Sequence, residues 1–293
     1  MRKKISTEID SIAQIVGEEK AIEYVAKAGF DAWDFSMFAM CNWNWDTDSP
    51  YDTFHPLKSI EYLAFAKQLK KVATDNGIVC NQSHAPFPSE KPIMFDFLKR
   101  SIECTAEVGG EICVIHPTTY ATAEENIRLN ATLYEKLLPF AKEHGVKLAT
   151  ENMWTWDKLT DKAAFAACTT PENFKGLLDA VNDEYLVACL DIGHAEMMGD
   201  LTNAVELIYA LNNRLKALHI HDNDKRKDSH QIPFSMSIDF LNVAKALKGI
   251  DYDGYFTLEA SSFLLEYTKE NVFGGVKKLA ESIEIFNKLY DNA

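Results

Sequence analysis

Histidines and carboxylates recur at the ends of short apolar runs in this chain, successive ones about 30 to 40 residues apart. They are His84 in VCNQSHAPF, His116 in EICVIHP, Glu151 in VKLATEN, and Asp191 with His194 in LVACLDIGH. His221 in LKALHIHDN, Asp228 and His230 in DSH, and Glu259 in GYFTLEA complete the series. Imidazole and carboxylate together form a mixed nitrogen and oxygen donor set for a divalent cation. A carboxylate that closes an apolar strand is costly unless it is paired or bound to a cation. Glu151 and Glu259 are such carboxylates, and two of them flanking one bound carbon could share proton transfer from its opposite faces.

The other residues of the series divide by position. Asp191 closes its run and is a metal-ligand candidate, whereas His194 lies just beyond and could bind substrate or a further ion. His219 and His221 alternate on one strand and so point to the same side. His221, nearer the end, is the better ligand, and His219 reads as a packed group behind it. Two glutamates, Asp191 and His221 make an oxygen-rich set that favours Mn²⁺, with Zn²⁺, Co²⁺ and Mg²⁺ also compatible. His84 and His116 are candidates for substrate hydroxyls, and with His194, Asp228 and His230 for additional metal coordination. Lys225, Arg226 and Lys227 form a cationic run, solvated by default, in which Lys227 could meet an anionic substrate group. Trp43, Trp45, Phe87, Trp154 and Trp156 follow the same runs, and Trp43 and Trp154 are candidates for stacking on a sugar. GxSxG, HExxH, GxGxxG and GxxxxGK[ST] motifs are absent, so acyl transfer, zincin and nucleotide chemistry have no support.

These side chains need a scaffold that brings many strand ends to one place. Apolar runs at 4–9, 31–36, 77–84, 111–117, 146–152, 186–194, 215–222 and 254–260 read as strands. Helical patterns lie near 18–29, 57–77, 91–108, 123–144, from 171, 201–213, 237–248 and 268–290, with Pro171 suited to a first turn. Eight βα units in unbroken alternation predict an α/β fold, a single (β/α)8 TIM barrel occupying 1–293. Such barrels build active sites at the C-terminal ends of their strands. A doubly wound open sheet would gather its ligands at one switch point instead.

The formal charge of −14 argues against a phosphate backbone as ligand, because nucleic-acid affinity comes from clustered Lys and Arg. Cys41, Cys80, Cys104, Cys113, Cys168 and Cys189 show no CxxC pairing and are expected to be free. The start MRKKISTEID has no apolar h-region, and no run reaches membrane-spanning length, so a cytoplasmic protein with no membrane partner is expected.

Glu151-Asn152, LDIGH, HIHDN and LEA together resemble the xylose isomerase-like superfamily, specifically its sugar phosphate isomerase/epimerase branch. In the tagatose and psicose 3-epimerases of that branch, the equivalents of Glu151, Asp191, His221 and Glu259 bind one divalent ion. The two glutamates exchange a proton next to a carbonyl through a metal-stabilised cis-enediolate, a Lewis-acid role. The resemblance therefore implies a metal-dependent isomerase or epimerase of a ketose or sugar derivative, with Asp34 contacting substrate or metal indirectly. Barrels of this kind often pair, so a homo-oligomer fits the resemblance. The same superfamily holds the endonuclease IV-type apurinic-site nucleases, whose three-zinc ligand set is matched by His84, His116, Glu151, Asp191, His194, His221, Asp228, His230 and Glu259. Their basic DNA-penetrating loops have no counterpart here. A dehydratase or lyase on the same enolate chemistry, and a non-catalytic sugar-binding subunit, stay open at this point.

Overall fold

The computed structural model describes residues 2–293. Its barrel strands are β1 (Ile5–Thr7), β2 (Ala32–Ser36), β3 (Val79–His84), β4 (Ile112–Val114), β5 (Lys147–Glu151), β6 (Leu186–Asp191), β7 (Leu215–His219) and β8 (Phe256–Leu258). β2 to β7 pair in chain order as one parallel sheet, and β1 pairs with β8. Single parallel bridges, Glu8 to Asp34 and Ile220 to Leu258, join the two sheets and close the ring. The expected (β/α)8 barrel is therefore formed.

Strand periodicity separates two cores. Outward residues such as Trp33, Phe35, Cys113, Leu148, Ala188 and Leu218 pack beneath the helices. Inward residues Val114, Ala149, Val187, Cys189 and Ala217 form a small plug inside the ring. Two residues on from Val114, Ala149, Cys189 and Ala217, the same inward face carries His116, Glu151, Asp191 and His219. Small apolar residues thus floor the barrel, and titratable ones occupy the layer above. A register shift sharpens the arrangement: Ala188 lies opposite Leu215 but Cys189 opposite Ala217, which brings His219 level with Asp191.

The strands are shorter than the apolar runs suggested, because the polar ends leave the ladder to line the mouth. His194 sits in a short helix, Ile192–Glu196, whose N-cap is Asp191. The segment Asp10–Val16, which carries no clear sequence signal, is helical. Two rim stretches between the expected elements form antiparallel hairpins, Trp43–Asn44 with Ser49–Pro50 and Thr155–Asp157 with Lys162–Ala164. All six cysteines are buried and free, as expected. No helix among the described residues is long and apolar enough to cross a membrane.

Candidate metal centre and substrate cavity

The titratable strand ends converge. Ligand atoms of Glu151, Asp191, His219 and Glu259 lie within 4.8 Å of one another, as do those of His84, His116 and Glu151. So do those of His194, His221, Asp228 and His230. Glu151 is shared by the first two groups, and Asp191 links the first to the third through His221 Nε2, 3.1 Å from its Oδ1. His219, expected to stand behind His221, lies at the centre instead. Its Nδ1 is 3.0 Å from Glu151 and 3.5 Å from Glu259, and its Nε2 is 3.4 Å from Asp34.

Backbone carbonyls fix the tautomers. Nδ1 of His84, His194 and His230 lies 3.0, 2.9 and 2.7 Å from the carbonyls of Ala85, Asn152 and Glu259. A carbonyl only accepts, so each Nδ1 carries a hydrogen; Nε2 of His194 and His230 faces the Asp228 carboxylate and that of His84 faces His116, and each would offer a lone pair once a cation displaced its proton. This orientation of imidazole by an outer contact is what metal-binding histidines require. Nε2 of His84 and His116 approach to 2.9 Å, a spacing that needs a proton or a cation to relieve it.

Neighbouring motif residues hold the ligand-bearing backbone. The Asn152 amide bonds both the N–H and the carbonyl of Asp191, tying β5 to β6. Asn223 donates to the Gly193 carbonyl, and buried Asp222 accepts from the backbone N–H groups of Met236, Ser237 and Ile238. Gly193 is required by space: a Cβ there would fall 2.0 Å from the His221 ring.

The donor set fits divalent cations. Asp34 Oδ1, Glu151 Oε2, Asp191 Oδ2 and Asp228 Oδ1 are buried carboxylate oxygens with no hydrogen bond, a costly state that a cation would relieve. Burial disfavours the charge on Glu151, but His219, His116 and His84 outweigh it and hold the carboxyl well below its usual range. Burial likewise opposes charge on His230, yet Asp228 raises the imidazole to about 10. His116 is lowered to about 4 by burial and by His84. Without an ion, protons on some imidazoles balance the carboxylates, and cation binding would displace them.

Above this floor lies a cavity of about 620 Å³, walled by Phe38, Phe87, Met153, Trp154 and Trp45, with His116, His194, Asp228, His230 and Glu259 at its base. Phe87 stacks on His116, and Trp154 Nε1 donates to Asp228. Glu259 reaches this cavity, whereas Glu151 is fully buried beneath the histidines. Among the expected substrate contacts, His84, Trp43 and Lys227 do not line this cavity, His84 being buried beneath it. Trp43 lines a smaller recess beside Trp45 and Phe87. Lys227 is exposed and lines neither this cavity nor that recess: its backbone N–H and that of Arg226 donate to Asp224, and Lys225 and Arg226 pair with Glu196 and Asp161. Phe38 and Glu8 were not singled out from sequence, for neither belongs to a recognisable motif.

Glu8, just after β1, gives a pH prediction. Burial, with Asp10 and Glu259 adding and the Ser11 donors opposing, pushes its carboxyl up to about 7 from 4.5. The folded chain then binds this proton more tightly than the unfolded one. Its contribution to stability is complete below pH 4.5 and is lost as pH rises through about 7. In metal-free protein, Glu8→Gln should gain stability relative to the parent between pH 4.5 and 8, by on the order of 3 kcal/mol. Urea midpoints at the two pH values measure it, and a pH-independent difference contradicts it.

The family profile of the xylose isomerase-like TIM barrel matches residues 22–289. The chain belongs to that family. An uncharacterized protein of Methanocaldococcus jannaschii is 25% identical over 92% of this chain and 85% of its own length. A probable endonuclease 4 of Shouchella clausii is 30% identical, over 50% of this chain and 56% of its own. Among solved structures, a D-tagatose 3-epimerase-like protein superposes with a TM-score of 0.72, covering 100% of this chain and 99% of that one at 21% identity. These likenesses establish the barrel as a family fold; the chemistry is argued from the site.

Proposed function

We propose that this family member is a divalent-metal-dependent sugar isomerase or epimerase. The observation that carries the reading is Glu259 at the base of an aromatic-walled cavity, grouped with Glu151, Asp191 and His219 around one centre. Glu151, Asp191 and Glu259 would hold the ion together with His221, which belongs to the neighbouring group and reaches this one at Asp191 Oδ1; when bound, the ion supplies Lewis-acid polarisation of a substrate carbonyl. Glu259 exchanges a proton with the carbon beside that carbonyl from the cavity side, while Glu151, buried beneath the histidines and within 4.8 Å of Glu259, supports the exchange through the ion it would help to hold. His219 keeps the two carboxylates apart in charge and fixed in position through its shared contact. Phe87 and Trp154 shield the carbon from bulk water, while His116 and His194 bind hydroxyls. The likeness to a D-tagatose 3-epimerase-like protein supports a small carbohydrate substrate.

The test is solvent exchange. Metal-loaded protein incubated with a ketose panel in D₂O is expected to place deuterium at a single carbon next to the carbonyl, and a chelator to stop it. Loss of water from the product instead would assign a dehydratase. No exchange with any ketose overturns the reading.

One observation favours a second reading. The His194, His221, Asp228 and His230 group and the His84, His116 and Glu151 group each offer a further ion position, matching a trinuclear phosphodiesterase. About three zinc ions per chain with nicking of abasic duplex would select it.

A further inference from the structure

The substrate cavity has a neighbour across Glu259. A second cavity of about 470 Å³ opens on the other side, and Phe38, Glu259 and Ser261 line both. Its remaining walls come from the unanticipated helix Asp10–Val16 and from the 261–267 segment, including Glu8, Asp10, Gln14 and Ser262. Each chamber alone falls within the volumes that hold drug-sized ligands, roughly 300–1,000 Å³, and the two together exceed them. Glu259 stands at their junction, so a carbon positioned against it has room for substituents on both sides.

Their chemistry differs. The larger chamber is mainly apolar and aromatic over its titratable floor. The smaller one is carboxylate-lined, by Glu8, Asp10 and Glu259, and no lysine or arginine lines either chamber among the described residues. An anionic group could be met at the floor by bound ions, but nothing in the smaller chamber offsets the charge of a phosphate or carboxylate. The Ser261 and Ser262 side chains line it and offer hydroxyls to a sugar.

Resting on the epimerase reading, we infer that the substrate is a two-part, non-anionic carbohydrate such as a glycosyl ketose. Its carbonyl-bearing unit occupies the larger chamber, and a neutral hydroxylated unit crosses Phe38 and Ser261 into the smaller. A terminally phosphorylated sugar is disfavoured.

Three probes that differ at one oxygen test this: fructose, isomaltulose, which carries a glucosyl group on O6 of fructose, and fructose 6-phosphate. Deuterium wash-in should give isomaltulose a kcat/KM about tenfold above fructose, and the phosphate ester one about tenfold below. Calorimetric affinities should follow the same order. Ser262→Trp, which fills the smaller chamber, should bring the isomaltulose to fructose ratio near one, and Gln14→Trp serves if that variant does not fold. A preference for the phosphate ester, equal handling of isomaltulose and fructose, or a ratio unmoved by a folded variant overturns the inference. Absence of wash-in with all three defeats the epimerase reading instead, and the calorimetric order then decides whether the second chamber takes a neutral sugar.

Discussion

Glu259→Gln is expected to retain ion binding at saturating metal and to lose turnover by about 10²–10⁴-fold, the range that a positioned acid or base contributes. Glutamine keeps the side-chain volume and one carbonyl oxygen, so the packing around His219 and the His230–Glu259 backbone contact persist. What it cannot do is accept and return a proton. The separation of effects matters, because loss of activity through loss of the ion would say nothing about proton transfer. Metal content by mass spectrometry and wash-in at saturating ion therefore belong in one experiment. Near-normal exchange in a variant that carries its ion would sink the acid/base role of Glu259. Glu151 makes a useful contrast, since it is wholly buried and lies against four imidazoles, those of His84, His116, His194 and His219. Removing its charge should disturb ion binding as well as exchange, whereas the Glu259 effect should be confined to exchange.

The residues that sequence made legible share one property: each closes an apolar run whose alternation fixes the direction of its side chain. The inward face that carries Val114, Ala149 and Cys189 continues to His116, Glu151 and Asp191, so period-two reasoning was sufficient for these. His219 escaped the same logic. Counting along β7 places it one layer below His221, but the register shift against β6 sets its height relative to Asp191, and a shift between strands leaves no trace in either strand's pattern. Lys227 sits away from the cavity for a different reason. A cationic run beside a site invites an anion-binding reading, yet Asp224 turns the run outward by accepting backbone N–H bonds at Arg226 and Lys227. The smaller chamber was hidden because its walls follow β1 and β8, where helix Asp10–Val16 and residues 261–267 carry polar residues without motif spacing.

Gly193→Ala is expected to weaken ion binding by about 10–100-fold, the cost typical of disturbing the support of a metal ligand. It should also destabilise the fold by about 1–3 kcal/mol through overpacking. The backbone itself tolerates alanine, since Gly193 lies in helix Ile192–Glu196 without a positive φ. The conflict is entirely with the imidazole of His221, whose Cε1, Nε2 and Nδ1 would lie 2.0, 2.3 and 2.6 Å from the new methyl carbon. The ring must turn away, and Nε2 then leaves Asp191 Oδ1, now 3.1 Å distant. A double substitution separates the two consequences. Adding His221→Ala removes the clash, so it should recover folding stability relative to Gly193→Ala alone while leaving ion affinity impaired, a coupling visible in a double-mutant cycle. Urea denaturation and competition with a fluorescent chelator supply the two readouts. Normal ion affinity in folded Gly193→Ala would mean that the position of the His221 ring is immaterial to the centre, and the role assigned to the LDIGH glycine would fall with it.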